Sequence, residues 1–295
     1  MTTPSTLTVG ICTFRRESLT DAVASLAGQT LRPDLVLVAD NDETDSARAR
    51  TGSAAARYGL DIRYVHAPAR NLSVARNACL DGAGRYLAFL DDDETAPSNW
   101  LAELTKALPE GSAGVSGPSR AIYPESAPAW MRRVSPHSQA PPRLHGQTVL
   151  GHTCNSLLDL AHPALRDLRF DPRFGRSGGE DADYFQRAVA RGAVFAVADI
   201  AVDEPVTPER LSEAWLAERR RRAGRTWYAS LSEERHRKAA AAAGKALWCR
   251  AAQAAPREDD RRRAWLRGLF HEGVVQAALG VRPRDHYGAP ADPAS

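Results

Sequence analysis

The feature that most constrains the fold of this chain is a repeated alternation of short apolar runs with longer helical patterns. Apolar runs lie at 6–12, 35–40, 62–67 and 86–90, and a helical pattern follows each of the first three. The last of these runs, YLAFL, is apolar throughout, which is typical of a strand buried on both faces of a parallel sheet. Parallel neighbours need crossover connections, usually helices. The sequence therefore predicts an α/β fold.

After residue 117 this rhythm weakens. Residues 118–146 contain six prolines and little periodicity, which predicts a long loop. Strand-like runs return at 151–160 and 194–198, and the pattern is helical from Pro208 onward. A helical segment is therefore expected to follow the sheet.

Basic residues are concentrated in this helical segment. The whole chain has a formal net charge of +3, yet residues 215–270 contain 13 Arg and 2 Lys against 6 acidic residues. Two interpretations stay open: a solvated helix packed on the rest of the protein, or a peripheral membrane contact with anionic lipid headgroups. Nucleic acid is not an expected partner, because no nucleic-acid-binding motif accompanies the charge.

The sequence lacks the patterns of membrane insertion and secretion. It contains no run of about 18 apolar residues, and its first residues show no basic segment followed by an apolar one. The four cysteines are far apart and include no CxxC pair, which favours reduced thiols. We therefore expect a cytoplasmic protein, with the inner face of the membrane as the alternative location.

Three consecutive carboxylates follow the fourth apolar run. Asp91, Asp92 and Asp93 are expected at the carboxyl edge of the sheet, where open α/β sheets bind ligands. Adjacent like charges raise each other's pKa unless a cation offsets them, and carboxylates suit Mg²⁺ or Mn²⁺ that bridges to substrate phosphates. The alternative is capping of the next helix by Asp93, Thr95 or Ser98. One acid suffices for a cap, so three favour a metal–phosphate site.

A second acidic cluster follows two glycines. In GGEDADYFQR (178–187), the residues Glu180, Asp181 and Asp183 are expected in the first turn of a helix. Interaction with the helix dipole explains one or two acids there, at roughly 0.3–1 kcal/mol each. A carboxylate that faces the first cluster would instead serve as a general base toward a substrate hydroxyl.

Polar residues also follow the first two predicted strands. Thr13 to Arg16 come after the first strand, and Asp40 ends the second. A carboxylate at such a position can accept hydrogen bonds from a nucleobase or a ribose. Capping of the helix after Asp45 is an equal alternative for Asp40.

Four segments, in this order and spacing, resemble the inverting family 2 glycosyltransferases of the GT-A type of fold. They are TVGICTFRR, LVLVADNDETD, NLSVARNACLDGAGRYLAFLDDDETAPSNWL and RFDPRFGRSGGEDADYFQRAVARG. The resemblance implies a Rossmann-like, mixed but mostly parallel sheet flanked by helices, with a helical C-terminal extension. The implied domains are a GT-A domain over 1–205 (sugar-nucleotide half 1–117, acceptor half 118–205), a basic helical extension over 206–281 and a disordered tail over 282–295.

The resemblance also implies metal-dependent, inverting transfer of a sugar from a nucleotide-sugar donor to a hydroxyl acceptor. It favours a UDP-sugar, a divalent cation (Mn²⁺ or Mg²⁺) and a carbohydrate or glycolipid acceptor in cell-surface polysaccharide or glycolipid synthesis. The implied residues are Asp181 as catalytic base, Asp91 and Asp93 on the metal, Thr13, Asp40, Arg70, Asp91 and Asp92 on the nucleotide sugar, and Glu180 and Asn155 on the acceptor side.

The sequence departs from the family pattern after the last predicted strand. Many relatives place a metal-binding histidine there, but VADIAVDEPVTPER contains Asp203 and Glu204 and no histidine. Either Glu204 contributes a third ligand or the metal is held more loosely. His152, a lone histidine before the acceptor segment, is typical of a structural position and is left out of the expected site.

Two other functions fit parts of the pattern. Asp91, Asp93 and Thr95 reproduce the DxDxT signature of haloacid-dehalogenase-type phosphatases, but three strand–helix units precede the signature here. A non-catalytic sugar-nucleotide-binding protein is the second alternative. The intact acids at Asp91, Asp93 and Asp181 argue against it.

Overall fold

The structure is a computed structural model that describes residues 6–141, 143–144, 147–148, 152–231 and 234–281. The chain forms two compact units. We call residues 6–120 and 139–204 the sheet unit, and residues 121–138 and 205–281 the helical unit. The tail that was expected to be disordered, 282–295, lies outside the described residues.

A nine-stranded mixed sheet forms the centre of the sheet unit. Its strands are β1 (Leu7–Thr13), β2 (Leu35–Asp40), β3 (Ile62–His66), β4 (Tyr86–Leu90), β5 (Gly114–Ser116), β7 (Arg143–Leu144), β8 (Gln147–Thr148), β9 (Asn155–Asp159) and β10 (Phe195–Val197). Their order across the sheet is β3-β2-β1-β4-β9-β5-β10-β8-β7. The first four strands are parallel, and β9 runs antiparallel to both of its neighbours. A separate two-stranded sheet pairs β6 (Ser119–Ile122) with β11 (Val202–Pro205).

Helices cover both faces of the large sheet. They are α1 (Leu19–Ala27), α2 (Arg48–Tyr58), α3 (Leu72–Gly82), α4 (Trp100–Ala107) and α6 (Glu180–Ala190). Because successive strand residues point to opposite faces, each strand contributes to two cores. One core packs Leu19, Ala54 and Trp100 against the sheet, and the other packs Cys79 and Tyr184 against it. The predicted α/β fold is confirmed.

The strand register brings the expected site residues to one edge of the sheet. Thr13 lies opposite Asp40, because β1 and β2 are parallel and in register to their last residues. β4 lies parallel on the other side of β1, with Phe89 opposite Gly10. The carboxylates that follow β4 therefore emerge at the same edge as Thr13.

The start of α3 is set by a cap that the sequence predicts. The Asn71 side chain accepts a hydrogen bond from the backbone N–H of Ser73 at 3.1 Å. A Cβ at Gly175 would overlap the Asn71 side-chain oxygen, so only glycine lets that turn approach the cap. The cap thereby ties α3 to the turn that precedes the second acidic cluster.

The expectation of a long loop over 118–146 is wrong for part of the segment. It contains β6 and the short helix α5 (Ala129–Val134). Trp130 and Met131 of α5 are buried together with Leu216 in the helical unit. Burial stabilises this helix, because a helix of this length would not be stable by itself in water. The segment 121–138, expected within the acceptor half, thus belongs to the same unit as the C-terminal helices.

Three long helices dominate the helical unit. They are α7 (Glu213–Ala229), α8 (Arg235–Ala252) and α9 (Glu258–Ala278), preceded by a 3-10 turn over Pro208–Leu211. A Cβ on Gly224 of α7 would overlap the Phe270 carbonyl oxygen of α9, and one on Gly273 would overlap the Arg221 carbonyl oxygen. The two glycines therefore permit a close crossing of α7 and α9. Within the described part of the chain, no helix is both long and apolar enough to span a bilayer.

Candidate active site

The first acidic cluster lies where β1 and β4 end. The Thr13 hydroxyl donates a hydrogen bond to an Asp92 oxygen at 2.7 Å, and both side chains are buried. Asp93 is more exposed, with 20% of its side chain accessible, and one of its oxygens lies 3.7 Å from a guanidinium nitrogen of Arg16. The cluster thus has a buried part, held by the sheet, and an accessible part.

Burial makes the inner carboxylates of this cluster unusually basic. Burial raises the pKa of Asp91 to about 7; the charge of Arg76 opposes this shift, and the charge of Asp93 adds to it. Burial, and then the charge of Asp93, raise the pKa of Asp92 to about 7 against the Thr13 hydrogen bond. A cation bound beside these carboxylates would lower their pKa, because a nearby positive charge favours the ionised form.

Helix capping does not explain the three acids. Helix α4 begins at Trp100, and its N-cap residue, Asn99, makes no side-chain capping bond. The backbone of Thr95 pairs instead with Asp203. Capping by Asp93, Thr95 or Ser98, the alternative interpretation, is therefore not observed.

The second acidic cluster opens α6. Gly178 and Gly179 have φ values of +84° and +96°, a left-handed region that glycine enters without a steric cost. The turn they form places Glu180 and Asp181 in the first turn of the helix. Asp183 faces a different partner, Arg187, at 2.6 Å. The glycine pair therefore sets the direction of the two acids.

Asp181 is the accessible carboxylate of this cluster. Its side chain is 27% exposed, and one of its oxygens accepts a hydrogen bond from the Ala182 N–H at 2.7 Å. The other oxygen lies 3.9 Å from Nδ1 of His152. Burial raises the pKa of Asp181, but the His152 contact and the charge of Arg76 lower it below its ordinary value. Asp181 is therefore an ionised, proton-accepting group at neutral pH.

A buried arginine joins the two clusters. Arg76 of α3 forms an ion pair with Glu180, and each side chain is 5% exposed. Burial lowers the pKa of Arg76, and the charges of Glu180, Asp91 and Asp181 together raise it above its ordinary value. Acids from both clusters thus act on one guanidinium, although they are about 90 residues apart in sequence. This convergence was expected, but the residue that mediates it was not.

Sequence reasoning missed Arg76 and left out His152. One signal for Arg76 is available: it shares a helical face with Ser73 and Leu80, and that face is otherwise buried. A lone arginine on the buried face of a helix needs a charged partner, since an unpaired buried charge is costly. No comparable signal marks His152, whose contact with Asp181 depends on the tertiary structure.

Three expected site residues have other partners. Asp40 is fully buried, and its carboxylate accepts hydrogen bonds from the Ala47 N–H at 2.8 Å and the Tyr64 hydroxyl at 2.9 Å, so the capping alternative describes its contacts. Glu180 is buried against Arg76 rather than open to an acceptor. Arg70, with a left-handed φ of +45°, donates to Glu43 at 2.9 Å and keeps a buried Nε without a hydrogen-bond partner.

Asn155 is a correction to the expected acceptor side. Its side chain is fully buried, its oxygen accepts a hydrogen bond from the Trp100 indole at 2.8 Å, and its amide donates to two backbone carbonyls, of Pro118 and Ile200. All of these contacts lie inside the sheet unit. Asn155 therefore joins elements of the fold, because its hydrogen-bonding groups are already occupied.

The region after β10 brings a further carboxylate toward the first cluster. Glu204 accepts a hydrogen bond from the Ser119 hydroxyl at 3.4 Å, and its charge acts on both Asp91 and Glu94. Asp203 pairs with Arg120 at 2.7 Å. Among the residues that the structure describes, no three His, Cys, Asp or Glu side chains are arranged to hold a metal ion by themselves.

Comparison with known proteins identifies the class of this fold and site. The chain matches the family model "Glycosyl transferase family 2" over residues 8–161, and it belongs to this family of glycosyltransferases. Among curated proteins it is similar to the succinoglycan biosynthesis protein ExoM of Rhizobium meliloti (strain 1021), with 42% identity over 294 residues and 95% of each chain covered. The phosphatase and the non-catalytic binding protein are thereby set aside.

Solved structures agree on the fold. The mannosyltransferase PcManGT from Pyrobaculum calidifontis, solved with GDP-Man and Mn²⁺, superposes with a TM-score of 0.61 at 17% identity, covering 94% of this chain and 88% of that one. S. aureus TarS 1-349 superposes with a TM-score of 0.54 at 16% identity, covering 93% and 75%. The expected GT-A fold with C-terminal helices is confirmed.

Proposed function

We propose that this enzyme is an inverting, metal-dependent glycosyltransferase that adds a sugar to a carbohydrate or glycolipid acceptor in cell-surface polysaccharide synthesis. One observation carries the proposal: a carboxylate of each acidic cluster, Asp91 in the first and Asp181 in the second, acts on the same buried guanidinium, that of Arg76. A cation site and a base within one cleft are what sugar transfer from a nucleoside diphosphate needs. The succinoglycan role in the printed name of ExoM supports the polysaccharide context.

The donor end is assigned to the carboxyl edge of the sheet. Asp91 and Asp93 would hold Mn²⁺ or Mg²⁺, and this donor set fits such an ion, because Mg²⁺ is usually held by one or two carboxylates plus substrate phosphates. When bound, the metal would neutralise charge on the departing diphosphate. Burial raises the pKa of Asp91, and a bound cation would favour its ionised form. Because no three His, Cys, Asp or Glu side chains among the described residues are arranged to hold a metal ion, the third protein ligand offered by Glu204 is not part of this assignment, and the donor phosphates would complete the metal site.

The nucleoside is assigned to the ends of β1 and β2. Thr13 positions Asp92 through their hydrogen bond. The Arg70 Nε has no hydrogen-bond partner and can donate a hydrogen bond to an oxygen of the sugar nucleotide. Asp40 would contribute to the nucleoside site by holding the chain at the end of β2, because its carboxylate already accepts hydrogen bonds from Ala47 and Tyr64. The solved relatives include PcManGT in complex with GDP-Man and S. aureus TarS 1-349 in complex with UDP, and a UDP-sugar is our proposed donor.

The base is assigned to Asp181. Its lowered pKa keeps it ionised, and its exposed fraction leaves an oxygen accessible to an acceptor hydroxyl. The oxygen near His152 would be oriented by that ring, while the Ala182 N–H holds the other oxygen. Asp181 would take the hydroxyl proton as the acceptor oxygen attacks the donor sugar.

The test uses the purified full chain with a panel of sugar nucleotides and measures release of nucleoside diphosphate with Mn²⁺, with Mg²⁺ and with a chelator. Asp181→Asn should lower the rate on the order of 10³-fold and leave donor binding intact. Asp93→Asn should weaken metal-dependent nucleotide binding. Asp183→Asn is the matched control, since that acid shares the helix turn but pairs with Arg187.

Two results would contradict the assignments. Equal loss of activity and of donor binding in Asp181→Asn would make Asp181 a structural acid. Unchanged metal dependence in Asp93→Asn would remove Asp93 from the metal site. Attachment of the enzyme to the cytoplasmic face of a membrane is a further part of the proposal, supported by the basic helical unit.

A further inference from the structure

A cavity of about 450 Å³ lies within the helical unit, bordered by the end of α5, by α7 and by α9. Four basic side chains line it: Arg220, Arg263, Arg267 and His271. Among the described residues, no aspartate or glutamate lines it. Burial lowers the pKa of His271, so the positive charge of this lining comes from its three guanidiniums.

The arginines of this cavity differ from their neighbours in the same helices. Arg262 pairs with Glu213 at 2.6 Å, and Arg221 pairs with Glu272 at 3.0 Å. Among the described residues, Arg263 and Arg267 form no ion pair; Arg267 only lies over the Trp248 ring, 5.6 Å from its centroid. Arg263 and Arg267 therefore bring to the cavity positive charges that have no ion-pair partner among the described residues.

Arg220 gives an independent indication of a missing anion. Its terminal nitrogen donates to the Pro136 carbonyl oxygen at 2.9 Å, but its Nε is buried without a hydrogen-bond partner. Burial, and then the charge of Arg219, lower the pKa of this guanidinium. A buried, charged donor without an acceptor is costly, because it has lost its contact with water and gained no partner. An anion in the cavity would supply both the acceptor and the counter-charge.

The other walls are apolar. Val134, Leu266 and Phe270 line the same cavity beside the guanidiniums. Bound inorganic phosphate would leave this apolar surface exposed to water, whereas the hydrocarbon part of a phosphate ester would bury it. Planar guanidiniums suit phosphate oxygens, because they donate two parallel hydrogen bonds.

We propose that this cavity binds the phosphate group of an amphipathic phosphate ester, with the guanidiniums on the phosphate and the apolar wall on the adjoining hydrocarbon. This site is separate from the proposed sugar transfer, since all of its residues belong to the helical unit. Its failure would leave the assignments of Asp93 and Asp181 unchanged.

The test is calorimetric titration of the full chain with octyl phosphate and with inorganic phosphate at low ionic strength. The wild-type chain should bind octyl phosphate more tightly than inorganic phosphate, and the double variant R263Q/R267Q should bind it at least about tenfold more weakly. Both arginines are exposed, so the variant should fold normally. The control R250Q/R257Q removes the same charge from exposed positions outside the cavity and should change the affinity less than about twofold.

Equal affinity of the wild-type chain and R263Q/R267Q would refute the site, and so would failure of octyl phosphate to bind the wild-type chain. Equal affinity for octyl and inorganic phosphate would refute the role of the apolar wall. Sedimentation with phosphatidylcholine vesicles that contain phosphatidic acid shows whether the phosphate ester belongs to a membrane lipid or to a soluble molecule. Retention of the wild-type chain but not of R263Q/R267Q identifies a membrane lipid, and octyl phosphate binding without retention identifies a soluble ester.

Discussion

Removal of the Arg76 guanidinium should destabilise the sheet unit more than removal of any exposed arginine. Arg76 and Glu180 are each 5% exposed, so Arg76→Met would leave the Glu180 carboxylate buried without its counter-charge. Breaking a buried ion pair in this way costs about 3–5 kcal/mol. At about 2–4 °C per kcal/mol for a chain of this size, the melting temperature should fall by roughly 6–20 °C.

The source of this loss can be separated from loss of packing. In R76M/E180Q the uncompensated charge is absent, so most of the lost stability should return. Arg187→Met is the matched control: its partner Asp183 is four residues away on α6, and the Arg187 side chain is 37% exposed. Such a pair contributes only about 0.3–0.5 kcal/mol. Thermal melts followed by circular dichroism measure all three variants.

The same variant tests the electrostatic link to the base. The charge of Arg76 helps to lower the pKa of Asp181, so Arg76→Met, which keeps the Glu180 carboxylate, should shift the acid limb of the pH–rate profile to higher pH. A loss of less than about 1 kcal/mol in Arg76→Met, or no recovery in R76M/E180Q, would refute the buried-pair reasoning. An unchanged acid limb would refute the link to Asp181.

Two further predictions concern pH and packing. Because burial raises the pKa of Asp91 and Asp92 to about 7 from 3.8, the folded state binds more protons than the unfolded state between these values. The contribution of these two carboxylates to stability without divalent cations should therefore fall as the pH rises from 4 to 7, so the melting temperature of Asp92→Asn relative to the wild type should rise across that range; a constant difference would contradict the assigned burial. Gly224→Ala should destabilise the helical unit by about 1–3 kcal/mol, since its Cβ would overlap the α9 backbone. Gly244→Ala in α8, where nothing lies within 4 Å of the added Cβ, should instead stabilise the protein by about 0.5–1 kcal/mol. Urea titrations measure both variants, and a change of the same sign in their free energies of unfolding would contradict this explanation.

Much of the sheet unit was predictable from local sequence. The run YLAFL forms β4 over the predicted residues, and Asn71 caps α3 as expected. These features are local, because a buried strand needs an uninterrupted apolar run and a cap needs one polar side chain at a helix start. The position of Asp91–Asp93 directly after a strand also predicted their place at the carboxyl edge of the sheet, whereas the hydrogen bond from Thr13 to Asp92 was not predicted.

Other features could not be predicted because they join distant parts of the chain. Asn155 lies within the strand-like run 151–160 and was expected near the acceptor, but its partners Trp100 and Ile200 come from other parts of the chain and occupy its amide. The helix over Ala129–Val134 lies in a proline-rich segment and is stabilised by burial against other helices. Neither outcome has a signal in the neighbouring sequence.

The sequence by itself determined the residue types of the site, the strands that carry them and the edge at which they emerge. Only the tertiary structure decided which of these groups remain chemically open. The side chains of Asp181 and Asp93 are partly exposed, whereas the buried Glu180 carboxylate is paired with Arg76, 104 positions away in the sequence. The reason is physical: a carboxylate's availability depends on burial and on which cation lies beside it, and both are set by packing between elements rather than by the order of residues along the chain.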